Sequence, residues 1–362
     1  RDRAWPAGST SAEEKPNVVF ILIDNTGWGD LSPYGGTTPM PNLDTLASEG
    51  LKLTNYTVQA QCVPTRAAIQ TGRLPVRSGA SRVPPVRGAR YGLSSWEYTL
   101  GELFSDAGYQ TALFGKWHLG NSDGRFPTDQ GYDVWYGIAN SSGEAGYVQF
   151  PLFSESGLPV PQVLRGEKGR PVEPVKPLDL DAKKYLDAEI AEKSAAYIRE
   201  AAKSDQPFFL FVGFTHIHPP IVVHPDIQQD ASEVSYQDLL TEIDLRTGEI
   251  LDTLSDAGIE DDTIVVFSSD NATAPYGDMM PGSNGPFRGH FFAQPYEGSY
   301  RVSAMVRWPG RIPAGSVSDE MLTALDWLTT FAGLIGETER IPSDRPIDGI
   351  DAAGHLLGKQ AS

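Results

Sequence analysis

The chain carries one cysteine, Cys62, inside the stretch "QCVPTRAAIQTGR". A lone thiol forms no internal disulfide, so it serves either as a small buried hydrophobe or as a chemical group. Four other polar segments each close an apolar run: Asp24-Asn25, Lys116-Trp117-His118, Thr215-His216-Ile217-His218 and Asp270-Asn271. Asp24, Asn25, Asp270 and Asn271 offer only carboxylate and amide oxygens, the donor set of a hard divalent cation, Ca²⁺ or Mg²⁺. One Asp-Asn pair at a strand end is more often a turn or a helix cap; two such pairs favour a metal. Lys116, His118 and His218 supply donors for a bound oxyanion and a proton for a leaving group. If the strand extends through "THIHPP", alternation turns His216 to the same side as His218.

These groups need elements to hold them. "NVVFILID" is a nearly unbroken Val/Ile-rich run and reads as a strand buried on both faces. "PNLDTLASEG" opens on Pro and closes on Gly, as a short helix does. "SWEYTLGELFSDAGY" reads as a helix leading into the strand "QTALFGKW". Helices over about residues 181–203 and 236–257 lead into the strands "PFFLFVGF" and "DTIVVFSSD". Helices alternating with buried strands predict an α/β sheet covered on both faces, whose ligands bind at the carboxyl ends of the strands. The stretch 137–180, rich in Pro, Gly and Ser, reads as a long loop or insertion.

At 362 residues and 40% apolar the chain has material for a large core, and no run of 18 apolar residues marks a membrane span. The formal charge of −18 argues against nucleic acid and anionic membranes as partners. From residue 50 to 96 there is no acidic residue, while Lys52, Arg66, Arg73, Arg77, Arg82, Arg87 and Arg90 fall there. Such a window is either a solvated basic face or a positive field for an anionic substrate. Tyr91, Trp96, Trp135, Tyr136 and Tyr147 are candidates to stack on an aryl group or a sugar ring.

"CVPTRAAIQTGR" resembles the type I sulfatase signature. "GKWHLG", "SSDN" and "EGSYRVSAMVRWPG" are similar to further segments of that family, in the family's order. The closest likeness is to the bacterial arylsulfatase-like branch of the alkaline phosphatase superfamily. The resemblance implies an alkaline-phosphatase-like central β-sheet with helices on both faces. It also implies a tail over 1–16, a catalytic domain over 17–345 and, over 346–362, the start of a C-terminal region, the smaller C-terminal subdomain being largely absent from this chain.

The implied activity is hydrolysis of an aryl or carbohydrate sulfate monoester. In the family, a formylglycine-generating or anaerobic maturation enzyme oxidises the signature cysteine to formylglycine. The hydrated aldehyde carries two hydroxyls on one carbon, one to attack sulfur and one to expel sulfate. Carried over, Asp24, Asn25, Asp270 and Asn271, with the modified Cys62, bind Ca²⁺ or Mg²⁺. Arg66 orients the diol, Lys116 and His118 contact diol and sulfate, and His218 lies near the ester oxygen, with His216 a weaker candidate.

Two departures stand out. Many sulfatases have Asp-Asp where this chain has Asp24-Asn25, so one ligand charge is missing. The family lysine that precedes a Glu-Gly pair is absent from "PFRGHFFAQPYEGS", where Arg288 and His290 are the nearby cations. Arg288 keeps its proton, whereas His290 could donate one. The sequons at Asn55, Asn140 and Asn271 read as chance matches. A periplasmic or secreted location is a family expectation, with no signal peptide in this chain. The alternatives are a phosphonate or phosphate ester hydrolase of the same superfamily, or a non-catalytic relative that binds sulfated ligands.

Overall fold

A computed structural model describes residues 15–83, 91–230, 233–274 and 282–359. Residues 1–14 of the expected tail, and Arg87 and Arg90 of the basic window, lie outside the described residues. In chain order the strands are β1 (Asn17–Ile23), β2 (Leu51–Leu53), β3 (Tyr56–Thr57), β4 (Gln110–Lys116), β5 (Val134–Ile138) and β6 (Gln162–Glu167). They continue with β7 (Glu173–Pro177), β8 (Phe208–Gly213), β9 (Thr263–Ser269), β10 (Ala304–Arg307), β11 (Ser316–Ser318) and β12 (Leu322–Thr323). The helices are α1 (Pro41–Glu49), α2 (Cys62–Thr71), α3 (Pro75–Ser78), α4 (Leu100–Asp106), α5 (Leu180–Ala201), α6 (Tyr236–Asp256), α7 (Trp327–Leu334) and α8 (Ala353–Leu356).

Ten strands form one sheet in the order β11-β2-β10-β9-β1-β8-β4-β5-β6-β7, and β3 pairs with β12 apart from it. The neighbours β9, β1, β8, β4 and β5 run parallel. Their carboxyl ends therefore line one edge of the sheet, as the sequence predicts.

Alternation along β1 explains the two-faced core. Val18, Phe20 and Leu22 face one layer, built from α2, α4 and α7. Val19, Ile21 and Ile23 face the other, built from α1, α5 and α6. A strand covered on both faces gains from apolar side chains at every position, which is why it reads as a continuous run. The long helices match their expected spans and start on side-chain caps. Asp179 accepts from the Ala182 N–H before α5, and Ser235 pairs with Asp238 in a capping box before α6.

The segment 137–180 differs from the expected loop. β6 and β7 pair antiparallel within it, and β6 pairs antiparallel with β5, so the segment extends the sheet by two strands.

Candidate active site

β1 and β9 run in register from Asn17↔Thr263 to Ile23↔Ser269. The next residue on each strand is an aspartate, so Asp24 and Asp270 leave the sheet side by side. The Asp270 N–H holds the Ile23 carbonyl at 2.9 Å, and the Asp24 N–H holds the His216 carbonyl at 2.9 Å. Cys62 is the first residue of α2, and no side chain caps that helix start. Ligand atoms of Asp24, Cys62 and Asp270 all lie within 4.8 Å of one another, and all three residues are buried.

Two cations complete the cluster. Arg66, one turn along α2, donates from Nε to Asp270 Oδ2 at 2.8 Å and from Nη1 to the Lys116 carbonyl at 2.7 Å. Lys116, the last residue of β4, reaches Asp24 Oδ2 with Nζ at 2.5 Å. Gly213 at the end of β8 leaves room for this crossing: a Cβ there would sit 2.6 Å from the Lys116 carbonyl and 3.3 Å from Arg66 Nη1.

His118 is buried beside the cluster with Nδ1 unpartnered. Asn25 and His118 both hold left-handed backbone, with φ of 64° and 63°. Asn tolerates that region, whereas for His it costs about 1–3 kcal/mol and persists where the surroundings impose it.

Three oxygens at these strand ends, Asp24 Oδ1, Asn25 Oδ1 and Asn271 Oδ1, are buried without a hydrogen-bond partner. Each such group costs about 1–3 kcal/mol unless something satisfies it. Asn271 donates its Nδ2 to Asp270 Oδ1 at 2.5 Å, which turns its own oxygen to the free role. Orphaned carboxylate and amide oxygens on adjacent strand ends fit a hard cation.

The electrostatics agree. Burial opposes ionisation of Asp24, but the Lys116 ammonium, with His218 and Arg66 behind it, holds the carboxyl down at about 2. Burial and the charge of Asp24 push Asp270 up to about 7 in spite of Arg66 and Lys116. Two adjacent carboxylates with a shared need for positive charge are what a divalent ion relieves. Burial pushes the Cys62 thiol up to about 12, so as cysteine it is protonated and a poor nucleophile. Burial, then Lys116 and Arg66, hold His118 well below the usual histidine range.

A family model described as Sulfatase matches residues 16–337. The chain belongs to the sulfatase family. It is a sulfuric ester hydrolase. Arylsulfatase G of Rattus norvegicus is 34% identical over 384 residues, covering 98% of this chain and 70% of that protein. N-acetylgalactosamine-6-sulfatase of Canis lupus familiaris is 34% identical over 366 residues, covering 98% of this chain and 68% of that protein. Among solved structures, the PsFucS1 sulfatase from Pseudoalteromonas sp. superposes with a TM-score of 0.86 at 33% identity, covering 95% of this chain and 72% of that one.

His218 of this sulfatase is half-buried, and its Nδ1 lies 2.6 Å from the Pro219 carbonyl. A carbonyl only accepts, so the proton sits on Nδ1 and the Ser141 hydroxyl, 3.3 Å away, faces a lone pair on Nε2. Burial is the first cause holding His218 down at about 4; Lys116 and Lys183 add to it and Asp24 opposes it.

His216 does not share this side. β8 ends at Gly213, so no alternation carries on to residue 218. The His216 ring turns away, with Nδ1 against Asp187 Oδ2 and Nε2 2.9 Å from the Val222 carbonyl. Both ring nitrogens are thus engaged within the fold, and the strand alternation expected to pair His216 with His218 is absent. Arg288 and His290 are exposed and partnered within their own segment: Arg288 lies 4.0 Å from the Tyr296 ring centroid, and His290 Nδ1 is 2.9 Å from the Phe291 carbonyl.

Among the described residues of the basic window, most of the cations are spent internally. Arg66 pairs with Asp270, Arg73 with Glu97 and Arg77 with Asp348, while Lys52 donates to the Pro33 carbonyl. Of the candidate stacking aromatics, Trp135 and Tyr136 are buried, and Trp96 is flanked by Arg73 and Arg345. Asn271 is buried. Lys183, Asp187 and Glu242, which hold the 215–224 segment from two helices, escaped the sequence reading. The available signal was positional, since residues 183 and 187 fall on the same helical stripe as Leu186 and Ile190.

Proposed function

We propose that this sulfatase hydrolyses a carbohydrate sulfate monoester, with Cys62 converted to formylglycine by a maturation enzyme and a divalent cation, Ca²⁺ before Mg²⁺, at the strand ends. The observation that carries the reading is the closeness of Cys62 to two buried carboxylates flanked by orphaned amide oxygens. Asp24, Asn25, Asp270 and Asn271 would hold the cation, which supplies positive charge for a sulfate oxygen. Formylglycine supplies, as its hydrate, a nucleophilic hydroxyl and a second hydroxyl on the same carbon.

The remaining roles belong to the chain's own side chains. Arg66 bridges Asp270 and the Lys116 carbonyl, and it keeps Nη2 buried and unpartnered, a donor free for the residue-62 side chain. Lys116 and His118 stand where a sulfate oxygen needs donors. His218 would present Nε2 to the leaving-group oxygen and pass it a proton as the imidazolium, with its Nδ1–H kept on the Pro219 carbonyl.

Charge balance supports an anionic ester. The two carboxylates offset Lys116 and Arg66, so a bound divalent ion leaves a surplus of positive charge for a sulfate monoanion. The sugar assignment draws on the relative named N-acetylgalactosamine-6-sulfatase. A periplasmic or secreted setting goes with this reading; among the described residues no helix is long and apolar enough to cross a membrane.

The test is peptide mass spectrometry across Cys62 in protein made with and without a formylglycine-generating enzyme, followed by assay on N-acetylgalactosamine 6-sulfate and an aryl sulfate. Maturation lowers the mass by about 18 Da, replacing S and two H by O. Cation-dependent release of sulfate by matured protein, absent in Cys62→Ala, supports the proposal. A thiol that persists under conditions that convert other signature peptides overturns it.

A further inference from the structure

Lys183 and Asp187 lie one turn apart on α5, on the stripe that packs beside Leu186 and Ile190. Both are 1% exposed, and a buried ammonium or carboxylate is retained only where several hydrogen bonds satisfy it. Their bonds all go to one short stretch of chain, residues 215–220, and all but one of them to its backbone. Asp187 accepts the Thr215 N–H at 2.8 and 3.1 Å, the His216 N–H at 2.8 Å, and the His216 ring. Lys183 Nζ donates to the His218 carbonyl and, at 2.8 Å, to the Pro220 carbonyl. The carbonyl between these two, that of Pro219, is the one that takes His218 Nδ1. The peptide groups that orient the imidazole are thus themselves held from a single helix turn.

We propose that Lys183 and Asp187 are a positioning pair for His218: by clamping the 215–220 backbone they keep the Pro219 carbonyl on Nδ1 and leave Nε2 facing the leaving-group oxygen. The inference rests on the role given to His218 above. It also explains why α5 carries charge at two core positions, where apolar side chains would pack at no electrostatic cost.

The test compares matured wild type, Lys183→Met, His218→Ala and the double variant on two sulfate esters, 4-nitrophenyl sulfate and N-acetylgalactosamine 6-sulfate. The sugar alcohol leaves poorly, so it depends far more than the nitrophenolate does on a proton delivered from Nε2, which carries one when His218 is the imidazolium with its other N–H on the Pro219 carbonyl. Lys183→Met should lower kcat on the sugar sulfate by about 10²-fold, the loss typical of a misplaced group, with KM nearly unchanged. It should cost little on the aryl ester and nothing further in the His218→Ala background. Losses that multiply in the double variant, or fall equally on both esters, overturn the proposal.

A second readout needs no turnover. In ¹⁵N-histidine NMR, wild-type His218 should show the Nδ1–H tautomer, and Lys183→Met should shift it toward a mixture. An unchanged tautomer overturns the clamp. If the tautomer shifts but neither ester is cleaved by wild type, the clamp stands and the substrate reading falls. Asp187→Asn, which keeps size and an acceptor oxygen, serves for both measurements should Lys183→Met fail to fold.

Discussion

Lys116 Nζ lies 2.5 Å from Asp24 Oδ2, both fully buried, so one carboxylate of the proposed cation site already shares its charge with a lysine. The arrangement makes Lys116 a structural counter-ion as well as the proposed donor for sulfate. Lys116→Met should leave two buried carboxylates facing Arg66 alone, at a loss of about 3–5 kcal/mol of stability in chelator. Ca²⁺ should restore part of that loss, because it replaces the missing charge. Activity should fall about 10²–10³-fold, as for removal of a donor aimed at developing charge. Urea unfolding with and without Ca²⁺ checks the first part; an equal loss in both conditions argues against a shared charge site.

Cation removal tests the strand-end ligands directly. A ligand that binds only the folded state adds about 2.7 kcal/mol at a concentration of a hundred times its Kd. Thermal stability and sulfate release should therefore rise together with added Ca²⁺ and fall together in chelator. Asn25→Asp adds a carboxylate at a position whose amide oxygen is buried and unpartnered. It should tighten Ca²⁺ binding measured by calorimetry, while lowering stability in the cation-free protein. Weaker binding in Asn25→Asp would place residue 25 outside the coordination shell.

The sequence makes the strand-end pairs visible because an unbroken apolar run followed by Asp-Asn is an abrupt change in chemistry. What it hides is the pairing of β1 with β9 in parallel register, which is settled by packing between segments far apart in the chain. β6 and β7 escape for another reason. "EPVKP" carries two prolines, which remove ladder donors and argue against a central strand, but β7 is the edge of the sheet, where proline is tolerated. Lys183 and Asp187 have the spacing of an ordinary surface i, i+4 pair, so nothing in their types singles them out. Only their place on the Leu186–Ile190 stripe marks them as buried. His216 fails in the opposite way: the motif "THIH" is plain, but strand alternation cannot be extended past the last paired residue.

The His216–Asp187 contact makes stability depend on pH. Burial opposes the charged imidazole, yet Asp187 and Glu242 outweigh it and raise His216 above its ordinary 6.5. Burial likewise opposes ionised Asp187, but His216 and the backbone N–H groups outweigh it and lower the carboxyl below 3.8. A raised imidazole gives stability that is complete below 6.5 and is lost as pH climbs through the raised value. A lowered carboxyl gives stability that is present above 3.8 and is lost as pH falls through the lowered value. Urea midpoints should therefore decline in the wild type as pH climbs above 6.5 through the raised imidazole value, and His216→Gln should flatten that decline. Parallel curves for the two proteins would count against a charged pair.

Gly213 offers the sharpest steric test of the site. A Cβ at this position would meet the Lys116 carbonyl at 2.6 Å and the Lys116 nitrogen at 3.1 Å, atoms of a paired strand that cannot swing away. The same carbonyl is the acceptor of Arg66 Nη1, itself 3.3 Å from the added atom. Gly213→Ala should therefore push β4 and Arg66 together, destabilising by about 1–3 kcal/mol through overpacking. Because both displaced groups face Cys62 and Asp270, activity should also drop by about 10²-fold. Gly258 is the control: at φ 67° with nothing within 4 Å of its added Cβ, Gly258→Ala strains the turn after α6 without touching the cluster. It should lose about 1 kcal/mol and keep its activity. Unfolding curves and kcat on the same two variants separate the effects, and a fully active Gly213→Ala would show that Arg66 and Lys116 need no such clearance.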